Sequence, residues 1–174
     1  MSICGRQSEN STSPQEPAAE YEVVHIAKTP NYCGLCDDYA QSQASKPVAV
    51  LCCEGGCLRG DVARQAANHL CHVLLPTQTV RICLGGAFTK DSGQRDLVRH
   101  AAKVLALEGC AVDCATRMMQ GVVDIPISVI RVDELYEFDR SLFGINELPE
   151  AEIKRHGISV AAKSPRAYKP NNTH

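Results

Sequence analysis

The chain has 174 residues, of which ten are cysteines and none is tryptophan. This length suits one domain that can form a core without covalent cross-links, which argues against a small disulfide-stapled scaffold. The net charge of -2 and the lack of a basic stripe exclude binding to nucleic acid through phosphate neutralisation.

No stretch approaches the ~20 apolar residues of a membrane span, and the N-terminus lacks a basic segment followed by an apolar run. We therefore expect a cytoplasmic protein with no membrane partner, whose cysteines are reduced. Clustered thiols in a reducing compartment more often serve metal or redox chemistry than structural disulfides. The composition thus points to a thiol-based site.

Composition divides the chain into four segments. Polar residues with several prolines predict a disordered N-terminal arm over 1–20 and a flexible C-terminal tail over 159–174. Between them we expect an N-terminal extension over 21–46, which carries a Cys-x2-Cys pair, and an α/β domain over 47–158. The alternating apolar pattern of residues 47–158 places the core in that segment.

Short apolar runs alternate with helical periodicity along this domain. The runs predict strands at residues 47–52, 79–84, 104–107 and 125–132. Helices are predicted from the N-cap Asp61 to about Leu75, after Asp91 or Ser92, over 114–120 with Gly121 as C-cap, and over 148–155 before Gly157. This alternation predicts a Rossmann-like three-layer α/β fold with a mostly parallel sheet of about four or five strands.

Cysteines follow the first three predicted strands. Cys53 and Cys57 follow the first strand, Cys83 lies at the end of the second, and Cys110 and Cys114 follow the third. The carboxyl ends of parallel strands meet at one edge of a sheet, so we expect these thiols to converge. Each loop leads into a helix N-terminus, which favours the thiolate form. Converging thiolates predict a zinc site, with an iron–sulfur cluster as the alternative.

The other cysteines allow different interpretations. Cys71 lies on an apolar helix stripe and is expected in the core. Cys52 points to the opposite face of the sheet from Cys53 if the strand continues that far. For Cys83, ligand and core positions remain equally open. Cys33 and Cys36 form a separate Cys-x2-Cys, which is an accessory metal or redox pair or an unrelated pair of loop cysteines.

Three motifs in fixed order resemble the DGC-domain family of zinc-binding proteins. They are Cys-Glu-Gly-Gly-Cys at 53–57, Cys-Leu-Gly-Gly at 83–86 and Glu-Gly-Cys-Ala-Val-Asp-Cys at 108–114. The resemblance runs from about 48 to 157 and implies a small α/β domain whose cysteines chelate zinc, with no established reaction. The family is named for an Asp-Gly-Cys motif, and Glu108 takes the place of that aspartate.

The resemblance also implies a ligand set. Cys53, Cys83, Cys110 and Cys114 match the four ligands proposed for the family, and Cys57 is close to an additional, less regular cysteine. Five thiols thus stand as candidates for a site that takes four ligands.

Polar residues near these cysteines have less specific roles. Asp113 is a candidate for accepting a hydrogen bond from a metal ligand or for accepting a proton, or it is an ordinary loop aspartate. Arg59 and Arg117 are candidates for binding an anionic substrate, or ordinary helix-surface residues. His69 and His72 share a helix face, where surface histidines are more common than ligands. No nucleotide-binding motif is present.

The expected function is binding of a metal ion by a thiolate site at the carboxyl edge of the sheet, as a metal sensor, carrier or buffer. The alternative is a thiol-dependent redox enzyme or an iron–sulfur protein that uses the same cysteines. A purely structural zinc domain is a third interpretation and predicts unfolding on chelation, whereas we expect secondary structure to be retained. Protein partners are not assigned, and a homo-oligomer stays open.

Overall fold

A computed structural model describes residues 20–31, 33–89 and 93–167. Its strands are β1 (Val48–Cys52), β2 (Thr79–Arg81), β3 (Lys103–Glu108) and β4 (Ile127–Arg131). Its helices are α1 (Gly34–Gln43), α2 (Leu58–His69), α3 (Leu84–Thr89), α4 (Gln94–His100), α5 (Cys114–Met119) and α6 (Glu150–Ala167). A π-helical turn over Leu70–Leu74 extends α2, and a 3-10 turn over Val132–Glu134 follows β4.

The four strands form one sheet in the order β2-β1-β3-β4, and all three neighbouring pairs are parallel. All residues of β1 are buried, because helices cover both faces of the sheet. The prediction of an α/β three-layer fold with a parallel sheet of four or five strands is confirmed. The predicted strands match the observed ones, although the second ends at Arg81 and Leu84 already begins α3.

Apolar residues on the two faces of the sheet form two separate cores. One face packs against α2 and α6. The other face packs against α1, α3, α4 and α5. Among the helices that the structure describes, none has both the length and the apolar character needed to cross a membrane.

The prediction that Asp61 caps the first helix of the domain is wrong. Helix α2 begins three residues earlier at Leu58, with Cys57 as its N-cap. The Cys57 sulfur accepts the N–H of Gly60 over 3.4 Å, so a thiol fills the position where a carboxylate was expected. Asp61 instead lies in the first turn and pairs with Arg64.

The predicted flexible tail and the predicted helix end at Gly157 are also wrong where the structure describes them. Helix α6 continues through Gly157 to Ala167. Its apolar side is covered by α2, so that Ile153, Val160 and Ala161 are buried. Tertiary packing therefore extends a helix that local signals end early.

The structure adds a helix that the sequence pattern does not predict, namely α1, which begins directly after Cys33. The predicted capping residues Asp91 and Ser92 lie outside the described residues, and α4 begins after Gly93. The predicted C-cap residue Gly121 follows Gln120, which is the observed C-cap of α5. The predicted arm lies outside the described residues up to residue 19.

Candidate metal centre

The candidate site lies where the chain leaves β1 and β3, which are neighbours in the sheet. From β1 the chain passes through α2 to β2 on one side, and from β3 it passes through α5 to β4 on the other. Helices α2 and α5 lie on opposite faces. The strand order thus changes direction between β1 and β3, and doubly wound sheets place their ligands in the crevice at this point. Loop 53–57 and turn 109–113 border this crevice.

Cys53 lies immediately beyond β1, and its N–H donates to the carbonyl oxygen of Leu107 over 2.9 Å. Its side chain is buried at the end of the strand. The pKa of the Cys53 thiol lies above its ordinary value, because burial raises it by more than the backbone N–H groups of Gly55 and Gly109 lower it, and Cys114 also raises it. In its buried position the Cys53 thiol is thus harder to ionise than a free cysteine.

Cys57 lies at the other end of the same loop. Its sulfur accepts the Gly60 N–H at the start of α2. A Cβ atom on Gly55 would lie 3.6 Å from the Cys53 sulfur and 3.9 Å from the Cys57 sulfur, so both sulfurs border Gly55. The sequence C-x3-C therefore folds into a loop that presents two thiols to one glycine.

Close backbone packing holds this loop against the end of β3. A Cβ atom on Gly109 would lie 2.9 Å from the Gly60 nitrogen and 3.0 Å from the carbonyl carbon of Arg59. Only glycine permits this approach, because the neighbouring atoms belong to the backbone of α2. Glycine at position 109 thus allows the first turn of α2 to pack directly against the turn that contains Cys110.

The remaining predicted ligands occupy different places. Cys110 is half-buried in the turn after β3, and Cys114 is exposed as the first residue of α5. Cys83 is exposed beyond β2, where its sulfur accepts the Gly86 N–H over 3.4 Å and its own N–H donates to Gln94 over 3.1 Å. Because β1 separates β2 from β3, Cys83 lies on the far side of β1 from Cys110.

The structure thus places the sulfurs of Cys53 and Cys57 around Gly55 and leaves Cys83 beside α4. Within residues 20–31, 33–89 and 93–167, no three His, Cys, Asp or Glu side chains are grouped closely enough to hold a metal ion. The ligand set of Cys53, Cys57, Cys83, Cys110 and Cys114 therefore stays a prediction.

Glu108 is fully buried at the end of β3. Its carboxylate accepts the N–H groups of Ala115 and Thr116 over 3.3 and 2.6 Å, and the Thr116 hydroxyl over 2.7 Å. These donors belong to the first turn of α5, where a negative charge is favourable. Glu108 therefore fixes the start of the helix that begins at Cys114.

A family model described as the DGC domain matches residues 49–154, which is more than half of the chain. The chain belongs to the DGC-domain family. This confirms the resemblance, and it places the chain in a cysteine-rich domain family. A search of curated proteins and a search of solved structures each give no match. In this DGC domain, Glu108 occupies the acidic position of the namesake motif. Its buried side chain supports α5 from within the core.

Asp113 forms an ion pair with Arg131 through its carboxylate, and its backbone N–H donates to the carbonyl oxygen of Cys110 over 3.2 Å. It adopts a left-handed backbone conformation before α5, with φ 52°, and its carboxylate accepts two hydrogen bonds from Arg131 over 3.1 and 2.8 Å. Sequence reasoning missed Arg131, because eighteen positions separate the two residues and no local pattern connects them. The pair joins the turn after β3 to the end of β4.

The pKa of Asp113 is expected to lie below the ordinary 3.8, because Arg131 donates hydrogen bonds to its charged form. This ion pair stabilises the fold above the unfolded pKa, and the stabilisation is lost as pH falls through the lower folded pKa. An NMR titration of side-chain carboxyl carbons measures it. Arg131→Gln should return Asp113 to the ordinary range and leave Asp139, whose pKa is lowered by Ser141, unchanged. An unshifted Asp113 in the wild-type protein would contradict the assignment.

Two cysteines outside the crevice are buried. Cys52 is fully buried, and its sulfur lies 2.7 Å from the guanidinium of Arg81, which also pairs with Glu54. Burial raises the pKa of the Cys52 thiol strongly despite the arginine. Cys71 is buried in the core on the α2 side, as expected. Both thiols are protected from solution reagents, and Arg81 is a partner that sequence reasoning missed.

Aromatic side chains border α2 beside Cys57. The guanidinium of Arg59 lies 4.4 Å from the ring centre of Phe138. The Tyr136 hydroxyl is buried without a hydrogen-bond partner among the described residues, and burial raises its pKa to about 12. Of the other polar candidates, Arg117 and His72 are exposed. No local sequence pattern indicates these aromatic contacts, since they come from the segment after β4.

Proposed function

We propose that this DGC domain binds one zinc ion through cysteine thiolates at the crevice between β1 and β3. Cys53, Cys57, Cys110 and Cys114 would hold it, because the first three lie in the two segments that border the crevice and Cys114 directly follows turn 109–113. Cys83 is the remaining candidate, and it would need to reach across the end of β1. A zinc ion held by thiolates suits a metal sensor, carrier or buffer.

The observation that carries this proposal is the convergence of two thiols on one loop. The sulfurs of Cys53 and Cys57 both border Gly55, and the Cys57 sulfur accepts the N–H of Gly60 at the start of α2. Such a donor stabilises a negatively charged sulfur, which is the form that coordinates metal. Thiolate donors favour zinc or an iron–sulfur cluster over hard cations such as magnesium. The chemistry of the donor set therefore fits zinc.

Metal analysis of the full chain, purified anaerobically under reducing conditions, tests the proposal. We expect about one zinc ion per chain and no visible absorption band from iron–sulfur charge transfer. Cys53→Ser and Cys114→Ser should each reduce the zinc content about tenfold. The matched control is Cys71→Ala, which removes a buried thiol in the core on the α2 side and should leave zinc unchanged.

Two results would contradict the proposal. One is a chain with no bound metal after zinc reconstitution. The other is an equal zinc content in the wild-type protein and in both crevice variants. A visible band that accompanies bound iron would instead support the iron–sulfur alternative on the same cysteines.

A further inference from the structure

Cys33 and Cys36 are a pair of thiols that the proposed zinc site does not use. Cys33 is the N-cap of α1, and Cys36 lies one turn later. The Cys33 carbonyl oxygen accepts the N–H of Cys36 over 3.1 Å and that of Asp37 over 3.4 Å, so the first turn is formed. Side chains three positions apart on a helix have Cβ atoms roughly 5–6 Å apart, slightly more than a disulfide spans. A small adjustment of this turn would join the two sulfurs.

The Cys33 sulfur differs from those of the other cysteines that precede helices. The sulfurs of Cys57 and Cys83 each accept the N–H of a glycine three positions later, over 3.4 Å. At α1 the residue three positions after Cys33 is Cys36, and the Cys33 side chain accepts no capping hydrogen bond. At the starts of α2 and α3, the residue three positions after the cysteine donates its N–H to the cysteine sulfur. At the start of α1, the residue in that position carries a second thiol.

Exposure assigns different roles to the two thiols. Cys33 is exposed, and the neighbouring Leu35 is 80% exposed. Cys36 is half-buried, and its sulfur lies 3.4 Å from the position of a Cβ atom on Gly93. A reagent from solution therefore reaches Cys33 first, while Cys36 is held close behind it.

The pair is also separate from the crevice. Helix α1 packs against α4, on the layer opposite α2. Gly93 directly precedes Gln94, whose side chain accepts the N–H of Cys83 over 3.1 Å. The contacts of Cys36 thus lead through Gly93 and Gln94 to Cys83. Cys83 is a predicted ligand that itself lies outside the crevice.

We propose that Cys33 and Cys36 form a redox-active dithiol that reacts with small-molecule disulfides of the glutathione type. The Cys33 thiolate attacks one sulfur of the disulfide, whose S–S bond breaks, and one thiol leaves with the proton that Cys33 lost. The Cys36 thiolate then attacks the Cys33 sulfur and releases the second thiol in the same way. Two electrons pass from the protein dithiol to the small disulfide, which becomes two thiols.

The test uses the full-length, zinc-loaded chain in buffers of reduced and oxidised glutathione, followed by acid quenching and alkylation. Cleavage after Lys28 and before Asp37 gives the peptide 29–36, which contains only these two cysteines. We expect this peptide to lose two hydrogen atoms as the oxidised share rises and to regain them with dithiothreitol, while the zinc content stays constant. A peptide 29–36 that stays reduced in every buffer would overturn the proposal.

Single variants separate the two steps. Cys36→Ser lacks the second thiol and should retain about tenfold more glutathione on Cys33 than the wild-type chain does. Cys33→Ser should carry little glutathione, because Cys36 is half-buried. Equal labelling of the two variants, or loss of zinc from either one, would overturn the proposal. Disulfide formation in 29–36 without zinc in the wild-type chain would instead leave the dithiol in place and contradict the proposed zinc function.

Discussion

Glu108→Ala is expected to lower the free energy of unfolding by about 3 kcal/mol. The wild-type carboxylate accepts three buried hydrogen bonds from Ala115 and Thr116, and alanine leaves these donors without a partner. Each hydrogen bond to a charged acceptor contributes roughly 1.5–3 kcal/mol. The expected loss is smaller than their sum, because the variant also removes the desolvation cost of a buried carboxylate.

Urea unfolding followed by far-UV circular dichroism measures this loss. Glu108→Asp keeps the charge and restores the residue for which the family is named, so we expect a loss of only about 1 kcal/mol. Glu137→Ala is the matched control, since Glu137 is exposed, and it should be neutral. A Glu108→Ala variant as stable as the wild-type chain would show that the carboxylate does not hold α5.

The Glu108 contacts also connect the core to the proposed zinc site. Helix α5 begins at Cys114, and its first turn donates to the Glu108 carboxylate. If Cys114 is a ligand, Glu108→Ala should weaken zinc binding even where the chain remains folded, whereas Glu137→Ala should not. The acidic residue of the namesake motif would then act on the metal by positioning a ligand rather than by coordination.

The parts of the fold that could be predicted are those with a local cause. The continuous apolar runs of β1 and β3 indicate strands covered on both faces, and helices between them require parallel pairing. Cysteines directly after those strands must then lie at the carboxyl edge of the sheet. Local sequence was sufficient to place Cys53 and Cys114 at this edge, whereas the structure shows that β1 and β3 are neighbours.

The parts that could not be predicted depend on distant partners. Arg131 reaches Asp113 from β4, and Arg81 reaches Cys52 from β2, so neither contact has a spacing that a sequence pattern detects. The separation of Cys83 from Cys110 follows from strand order, which a list of strands does not supply. The length of α6 was underestimated because Gly157 resembles a helix stop, although it is a packing contact.

The close packing of Gly157 against α2 predicts that Gly157→Ala lowers the free energy of unfolding by about 2 kcal/mol, although alanine is the better helix former. A Cβ atom at this position would lie 2.4 Å from the Cβ atom of Gln65 and 3.1 Å from the backbone nitrogen of Ala66. Helix propensity favours alanine by about 1 kcal/mol, while overpacking against a neighbouring backbone costs about 1–3 kcal/mol or more. We expect the overlap to prevail, because α2 lies against the sheet and cannot move away freely.

Urea unfolding of Gly157→Ala and Gly121→Ala compares a packed glycine with an open one. A Cβ atom on Gly121 would meet nothing within 4 Å, so that variant should change stability by less than about 0.5 kcal/mol. In a Gln65→Gly background, Gly157→Ala should cost less than in the wild-type chain, since the closest overlapping atom is then missing. A stabilised Gly157→Ala protein would mean that α6 does not pack this closely on α2. The expected loss would instead show that a residue typical of helix ends joins the last helix to the core.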